Sequence, residues 1–160
     1  MSEHGNVILR FNDVTFGYTD KNNQLKETSF SVRENAKVTL MGQNGAGKST
    51  MFKLIAGATD EPPEYGIKPT EGTIHLRDNA SVATQLQVMP EEYKDSTVQQ
   101  FFAGAFKEVP RNLDGQIKKV LETVNYDVPL DRAINKLSGG QQARLLLAFA
   151  LIQNPDILLL

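Results

Sequence analysis

The sequence contains no cysteine and no tryptophan, and it has two histidines in 160 residues. Without cysteine, the chain can hold no disulfide, no thiolate metal site and no cysteine-bound iron–sulfur cluster. The absence of disulfides fits a reducing compartment, and we expect a cytoplasmic location.

Long hydrophobic runs are also missing. The longest uninterrupted apolar run extends from Leu145 to Ile152, well short of the roughly 20 residues that span a bilayer. The first residues, 1–6, lack the basic segment and the apolar core of a signal peptide. We therefore expect no transmembrane segment, and any connection to a membrane would go through another polypeptide or another part of a longer one.

The charge balance is close to neutral, with a formal net charge of −2. This value argues against a nucleic-acid surface spread over the whole chain, although a local basic patch stays open. The sequence is 40% hydrophobic and 22% charged, which is typical of a soluble globular protein, and its length suits one ordinary domain.

Hydrophobic periodicity alternates between short strands and longer helices. Strands are predicted at residues 7–18, 28–32, 37–41, 73–76, 81–84 and 156–160. Helices are predicted at residues 49–56, 117–124 and 141–152, and at a segment from Ser96 or Thr97 that includes Phe106. A polar turn is expected at 20–23 and a loop at 57–72. This order predicts an α/β fold of parallel strands with flanking helices.

A phosphate-binding loop follows the third predicted strand. Gly42, Gly47, Lys48 and Ser49 match the pattern G-x-x-x-x-G-K-[ST]. Glycines let successive backbone N–H groups point at phosphate oxygens, and the following helix adds its positive end. The lysine would reach the β- and γ-phosphates of ATP, and the Ser49 hydroxyl would hold Mg²⁺. The alternative, a glycine-rich turn that matches by chance, is the weaker interpretation because a predicted strand precedes the loop and a predicted helix follows it.

A second motif, Leu-Ser-Gly-Gly-Gln at residues 137–141, opens the helix before the last strand. With the phosphate loop upstream, it resembles the signature motif of ABC ATPases, and the chain resembles that family over its whole length. The resemblance implies a P-loop NTPase core with a mixed sheet and an inserted helical subdomain. It divides the chain into residues 1–90 (core), 91–137 (helical subdomain) and 138–160 (signature helix and strand).

The same resemblance implies the partner and the site residues. A second ABC nucleotide-binding domain, in tandem or as a homodimer, would pair head to tail, so that one signature closes on the other's ATP. The signature residues are Ser138, Gly139, Gly140 and Gln141. The nucleotide-binding residues are Tyr18, Gly42, Asn44, Gly45, Ala46, Gly47, Lys48, Ser49 and Thr50.

Two further residues match the family pattern less specifically. Tyr18 lies where the family carries an aromatic residue that stacks on adenine, and Phe16 is the other candidate. Gln87 matches the glutamine that contacts Mg²⁺ and the attacking water, and Gln85 competes with it. We predict Lys48 and Gln87 as catalytic residues, Ser49 and Gln87 as Mg²⁺ ligands, and ATP and Mg²⁺ as cofactors.

The sequence departs from the family after the last predicted strand. There the family carries an aspartate for Mg²⁺, a catalytic glutamate and a later histidine, whereas this sequence stops at Leu160 and its histidines are His4 and His75. We expect a truncated piece of a longer ATPase that does not hydrolyse ATP alone. We also expect residues 37–41 and 156–160 to present unpaired edges that promote association.

The branch of the family stays open. The run from Leu137 to Ala148 looks like the soluble ABC-F branch, whose members act on the ribosome as translation factors. The main alternative is the ATPase of a membrane transporter with a permease partner. A third reading is a nucleotide-binding interaction module that does not hydrolyse ATP.

Overall fold

A computed structural model describes residues 5–19 and 22–160. The chain divides into two compact units, of which the first ends at Val82 and the second comprises Ala83–Leu160. None of the helices in the described ranges is long and apolar enough to cross a membrane. The boundaries of the helical subdomain, predicted after residues 90 and 137, remain predictions.

The sheet of the first unit has three strands, β1 (Val7–Thr19), β2 (Asn22–Arg33) and β3 (Glu71–Leu76), in the order β2-β1-β3. Both pairings are antiparallel. The parallel arrangement predicted from the sequence is therefore wrong for this sheet. For β1 and β2 the reason is their short connection, because parallel neighbours need a crossover of a dozen or more residues.

The predicted strands 7–18, 28–32 and 73–76 are confirmed within these three strands, and the longer β2 also contains residues 22–23 of the predicted turn. Residues 20–21 of that turn lie outside the described residues. Phe11 of β1 is fully buried, pairs in register with Phe30 and stacks on its ring at 4.5 Å between centroids. Aromatic cross-strand pairs of this kind stabilise the pairing of two strands.

Helix α1 (Lys48–Gly57) confirms the helix predicted at 49–56. Its buried side is Leu54, Ile55 and Ala56, which are at most 4% exposed. The helix ends against a close backbone approach, since a Cβ atom on Gly57 would lie 2.1 Å from the Ile67 carbonyl oxygen.

The strand predicted at residues 37–41 is not formed. No strand among residues 5–19 and 22–160 pairs with this segment, and Val38 and Met41 are 62% and 90% exposed. A β-strand exists only through hydrogen bonds to a neighbouring strand. Hydrophobic patterning alone therefore cannot form one here.

The second unit, together with Val82 at its boundary, contains a two-stranded sheet and three α-helices. Strands β4 (Val82–Thr84) and β5 (Ile157–Leu159) pair, which confirms the two strands predicted nearby. Helices α2 (Val98–Ala103), α3 (Leu113–Thr123) and α4 (Gly139–Ile152) pack around one core, with short 3-10 helices at Glu91–Tyr93 and Ile134–Lys136. Its fully buried side chains include Val98, Phe101, Phe102, Ile117, Ile134 and Leu145.

Helix α2 is shorter than predicted. It begins after Thr97, as expected, but ends before Phe106. The Gly104 N–H closes the last turn on the carbonyl of Phe101 at 3.1 Å, and the chain then leaves the helical path. Phe106 still packs against the core as a half-buried side chain. The apolar spacing had indicated burial correctly but not the end of the helix.

Candidate nucleotide-binding site

The phosphate loop (residues 42–49) forms a tight glycine-dependent turn, and its last two residues are the first two of α1. Gly45 and Gly47 have φ angles of 87° and 89°, in the left-handed region that favours glycine. The Ala46 N–H donates to the Gln43 carbonyl oxygen at 3.1 Å. These glycines explain why a compact loop can lead directly into the helix at Lys48.

Lys48 bends back over the loop that precedes it. Its Nζ donates to the carbonyl oxygens of Gly42 at 2.6 Å and Gln43 at 2.9 Å. The ammonium group is therefore held at the loop rather than extended into solvent. A fixed positive charge beside glycine backbone is the arrangement that a polyphosphate requires.

The first turn of α1 adds a second electropositive element. The Met51 N–H donates to the Gly47 carbonyl oxygen at 2.9 Å, so the helix starts immediately after Gly47. Helix N-terminal N–H groups lack intrahelical acceptors and carry partial positive charge. The side chain of Ser49 is exposed at this end, and no acidic residue lies in the first turn.

Thr50 is oriented differently from Ser49. It is only 5% exposed, and its hydroxyl lies 2.7 Å from Oε1 of Gln24 on β2. The hydroxyl is therefore engaged within the protein, and the part of Thr50 left for a ligand is its backbone.

The two aromatic candidates differ in exposure. Tyr18 is 54% exposed near the end of β1, whereas Phe16 is 9% exposed. The two rings meet edge to face, with centroids 5.0 Å apart. A buried ring cannot stack on a base, so this difference favours Tyr18. Lys53 of α1 holds its Nζ 5.9 Å from the Tyr18 ring centroid.

The two glutamine candidates lie in the second unit. The Gln85 N–H donates to the Leu159 carbonyl oxygen at 2.8 Å, which extends the pairing of β4 with β5. Gln87 is exposed in a bend beyond the strand. The exposed side chain favours Gln87 as the residue that contacts a ligand.

The signature segment (residues 137–141) begins α4. Ser138 is the N-cap, and a Cβ atom on Gly139 or Gly140 would meet nothing within 4 Å. The backbone at this helix N-terminus is therefore open to an approaching group. The structure brings the loop residues together in one unit and the signature residues together in the other.

The donors near the loop fit magnesium. Mg²⁺ prefers oxygen ligands, keeps several waters and is commonly bound through substrate phosphates rather than an all-protein cage. The exposed Ser49 hydroxyl supplies such an oxygen at the loop. Among residues 5–19 and 22–160, no cluster of three or more His, Cys, Asp or Glu side chains could hold a metal by itself.

The sequence profile described as ABC transporter matches residues 25–160. The chain belongs to this family. ATP binding is general to the family. The predictions of an ABC ATPase, a P-loop and ATP binding are therefore confirmed at the level of the family.

Several curated relatives carry transporter names. The chain is 32% identical to the energy-coupling factor transporter ATP-binding protein EcfA1 of Mycoplasmoides gallisepticum, over 98% of this chain and 58% of the relative. It is 29% identical to the zinc import ATP-binding protein ZnuC of Rickettsia conorii, over 96% of this chain and 61% of the relative. The chain thus spans about three fifths of the length of these relatives.

Solved structures share the fold. A nucleotide-free ATP-binding cassette from an ABC transporter superposes with a TM-score of 0.73 at 22% identity, covering 96% of this chain and 68% of that one. The cbiO1 protein from Clostridium perfringens, part of the ABC transporter complex cbiONQ, gives 0.75 at 22% identity, covering 95% and 64%. The predicted P-loop NTPase fold of an ABC ATPase is confirmed.

Two residues near the loop were not found from the sequence. Gln24 and Lys53 match no motif. The pairing of β1 with β2 brings Gln24 to the loop, and the packing of α1 brings Lys53 to Tyr18. No local signal in the sequence marks either residue.

Proposed function

We propose that this chain is the nucleotide-binding part of an ATPase subunit that drives a membrane ABC transporter. Tyr18 stacks on the adenine, and the backbone of residues Gly42, Asn44, Gly45, Ala46, Gly47, Lys48, Ser49 and Thr50 binds the phosphates. The observation that carries this proposal is the phosphate loop, which contains two left-handed glycines at the start of a helix and holds the Lys48 ammonium on the carbonyl oxygens of Gly42 and Gln43.

In the whole protein the bound ATP is hydrolysed. Lys48 neutralises charge on the β- and γ-phosphates, and Gln87 orients the attacking water. Ser49 and Gln87 are the residues that would hold Mg²⁺, which would supply further charge neutralisation at the phosphates. A second nucleotide-binding domain pairs head to tail, so that Ser138, Gly139, Gly140 and Gln141 act on the partner's ATP.

The relatives favour the transporter over the ribosomal function. EcfA1 is named as a transporter ATP-binding protein and ZnuC as a zinc import ATP-binding protein, and neither name refers to the ribosome. The ABC-F interpretation rested on one local run and has no support from these relatives. The partner is then a permease, and the subunit works on the cytoplasmic face of a membrane.

The binding step is tested with Lys48→Ala. We expect ATP affinity to fall on the order of ten- to a hundredfold, because a charge-assisted contact is worth roughly 1.5–3 kcal/mol. Lys118→Ala is the matched control, since Lys118 is exposed on α3, and it should bind ATP like the unaltered protein. Equal ATP binding by the Lys48 variant would refute the loop as the site, as measured by titration calorimetry.

The biological assignment is tested with the whole protein. Affinity purification from membranes should recover a partner with transmembrane spans, and Mg²⁺-dependent ATP turnover should be lost in Lys48→Ala. Co-sedimentation with ribosomes would instead support the ABC-F function. ATP binding without any turnover would support the interaction module.

A further inference from the structure

Two parts of the proposed ATP site are joined through β2. Tyr18 packs edge to face on Phe16, and Phe16 pairs in register with Leu25. A Cβ atom on Gly47 of the phosphate loop would lie 3.7 Å from Leu25 Cδ2. The aromatic ring and the loop therefore rest on the same short stretch of strand.

Gln24 makes the polar connection in this stretch. Its Oε1 accepts a hydrogen bond from Thr50 Oγ1 at 2.7 Å, and its carbonyl oxygen would lie 3.5 Å from a Cβ atom on Gly47. Thr50 is 5% exposed, so its hydroxyl has little access to water. Loss of the acceptor would leave a buried hydroxyl without this partner, which makes the bond costly to break.

Helix α1 contacts the hairpin at a second point. Lys53, one turn beyond Thr50, places its Nζ 5.9 Å from the Tyr18 ring centroid. Residues three apart on a helix lie on the same face. One face of α1 thus carries both contacts to the hairpin that holds Tyr18.

We infer that Gln24 is a positioning residue that sets the distance between the base-binding and phosphate-binding parts of the ATP site. The inference rests on the proposed function. ATP spans both parts, whereas inorganic triphosphate occupies only the loop. If Tyr18 and the loop are already held in one arrangement, less conformational entropy is lost when ATP binds, so ATP binds more tightly.

The test compares ATP with inorganic triphosphate. Gln24→Met removes the acceptor but keeps a side chain of similar length. We expect it to weaken ATP binding about two- to tenfold, the range of a single neutral hydrogen bond, and to leave triphosphate binding unchanged. Gln24→Glu keeps an acceptor for Thr50, so its ratio of ATP to triphosphate affinity should match that of the unaltered protein.

A double-mutant cycle separates positioning from general stability. In a Tyr18→Ala background, Gln24→Met should have no further effect on ATP affinity, because there is no ring left to position. Gln116→Met, at an exposed glutamine on α3, is the control and should change the affinity for neither ATP nor triphosphate. If Gln24→Met does not fold, Gln24→Asn, whose shorter amide no longer reaches Thr50, replaces it.

Two results overturn the inference while leaving the proposed function intact. One is an equal loss of ATP and triphosphate affinity in the Gln24 variant. The other is a loss of ATP affinity that persists in the Tyr18→Ala background. Failure of the unaltered protein to bind ATP at all would overturn the proposed function and this inference together.

Discussion

Ser138 and Gln141 cap the N-terminus of α4 reciprocally. The Ser138 N–H donates to Gln141 Oε1 at 2.8 Å, and the Gln141 N–H donates to the Ser138 hydroxyl at 3.3 Å. Thr97 and Gln100 make the same pair of bonds at the start of α2. The signature segment therefore has a structural role that is separate from its proposed role at a partner's ATP.

The two caps provide a matched pair of variants. Ser138→Ala and Thr97→Ala should each lower the free energy of unfolding by about 1 kcal/mol, since each removes a side-chain acceptor from a helix N-terminus. Only Ser138→Ala should also reduce ATP turnover by the whole protein. Urea unfolding and an ATPase assay measure the two effects. Equal turnover in the two variants would remove Ser138 from the proposed site.

Tyr18→Ala should weaken ATP binding while triphosphate binding stays unchanged. Stacking of an aromatic side chain on a base is worth about 1–3 kcal/mol in nucleic-acid binders, the nearest calibrated case. Tyr65→Ala, at another exposed tyrosine of the first unit, is the control. Loss of affinity for both ATP and triphosphate would indicate misfolding rather than loss of stacking. Unchanged ATP affinity would exclude Tyr18 as the stacking residue.

Gly57 and Gly115 are both helical glycines, but their surroundings predict opposite effects of alanine. At Gly57 a Cβ atom would lie 2.1 Å from the Ile67 backbone oxygen, whereas at Gly115 it would meet the exposed side chain of Asn112 at 2.6 Å. Backbone cannot move aside cheaply, but an exposed side chain can.

Gly115→Ala should therefore be neutral or stabilise the protein by up to about 1 kcal/mol, the difference in helix propensity. Gly57→Ala should destabilise it by roughly 1–3 kcal/mol, as overpacking does. Thermal and urea unfolding of the two variants measure both values. A stabilised Gly57 variant would show that α1 and the segment at Ile67 separate easily.

Tyr126 carries a hydroxyl that is buried and has no hydrogen-bond partner among the described residues. Such a group costs free energy, so Tyr126→Phe should raise the free energy of unfolding by about 1 kcal/mol. Tyr65→Phe, at the exposed ring, should change it little. A clear loss of stability in Tyr126→Phe, measured by urea unfolding, would mean that the hydroxyl has a partner such as a bound water.

The same residue predicts a pH dependence. Burial raises the pKa of Tyr126 above its usual value of 10.0, and Arg144 and Arg132 lower it by a smaller amount. The unfolded chain then loses this proton at a lower pH than the folded chain. The contribution to stability is complete below about pH 10 and is lost as pH rises through the folded pKa. The stability difference between Tyr126→Phe and the unaltered protein should therefore widen above pH 10.

Sequence patterns located the elements that depend on local chemistry. The glycines and Lys48 of the loop, the helix start at Ser96 or Thr97 and the apolar spacing at residues 117–124 each depend on residues that are close in sequence, so they can be read directly. The same patterns do not locate helix ends, as at Phe106, because apolar spacing reports burial rather than helix termination.

The amino-acid sequence by itself determined the family, the phosphate loop and the signature motif at the opening of a helix. Only the tertiary structure decided that β1, β2 and β3 pair antiparallel, that residues 37–41 do not form a strand, and that Gln24 meets Thr50. The physical reason is the range of the interactions. Caps and glycine turns satisfy hydrogen bonds within a few residues, whereas strand pairing and the contact from Gln24 to Thr50 depend on segments that are distant in sequence.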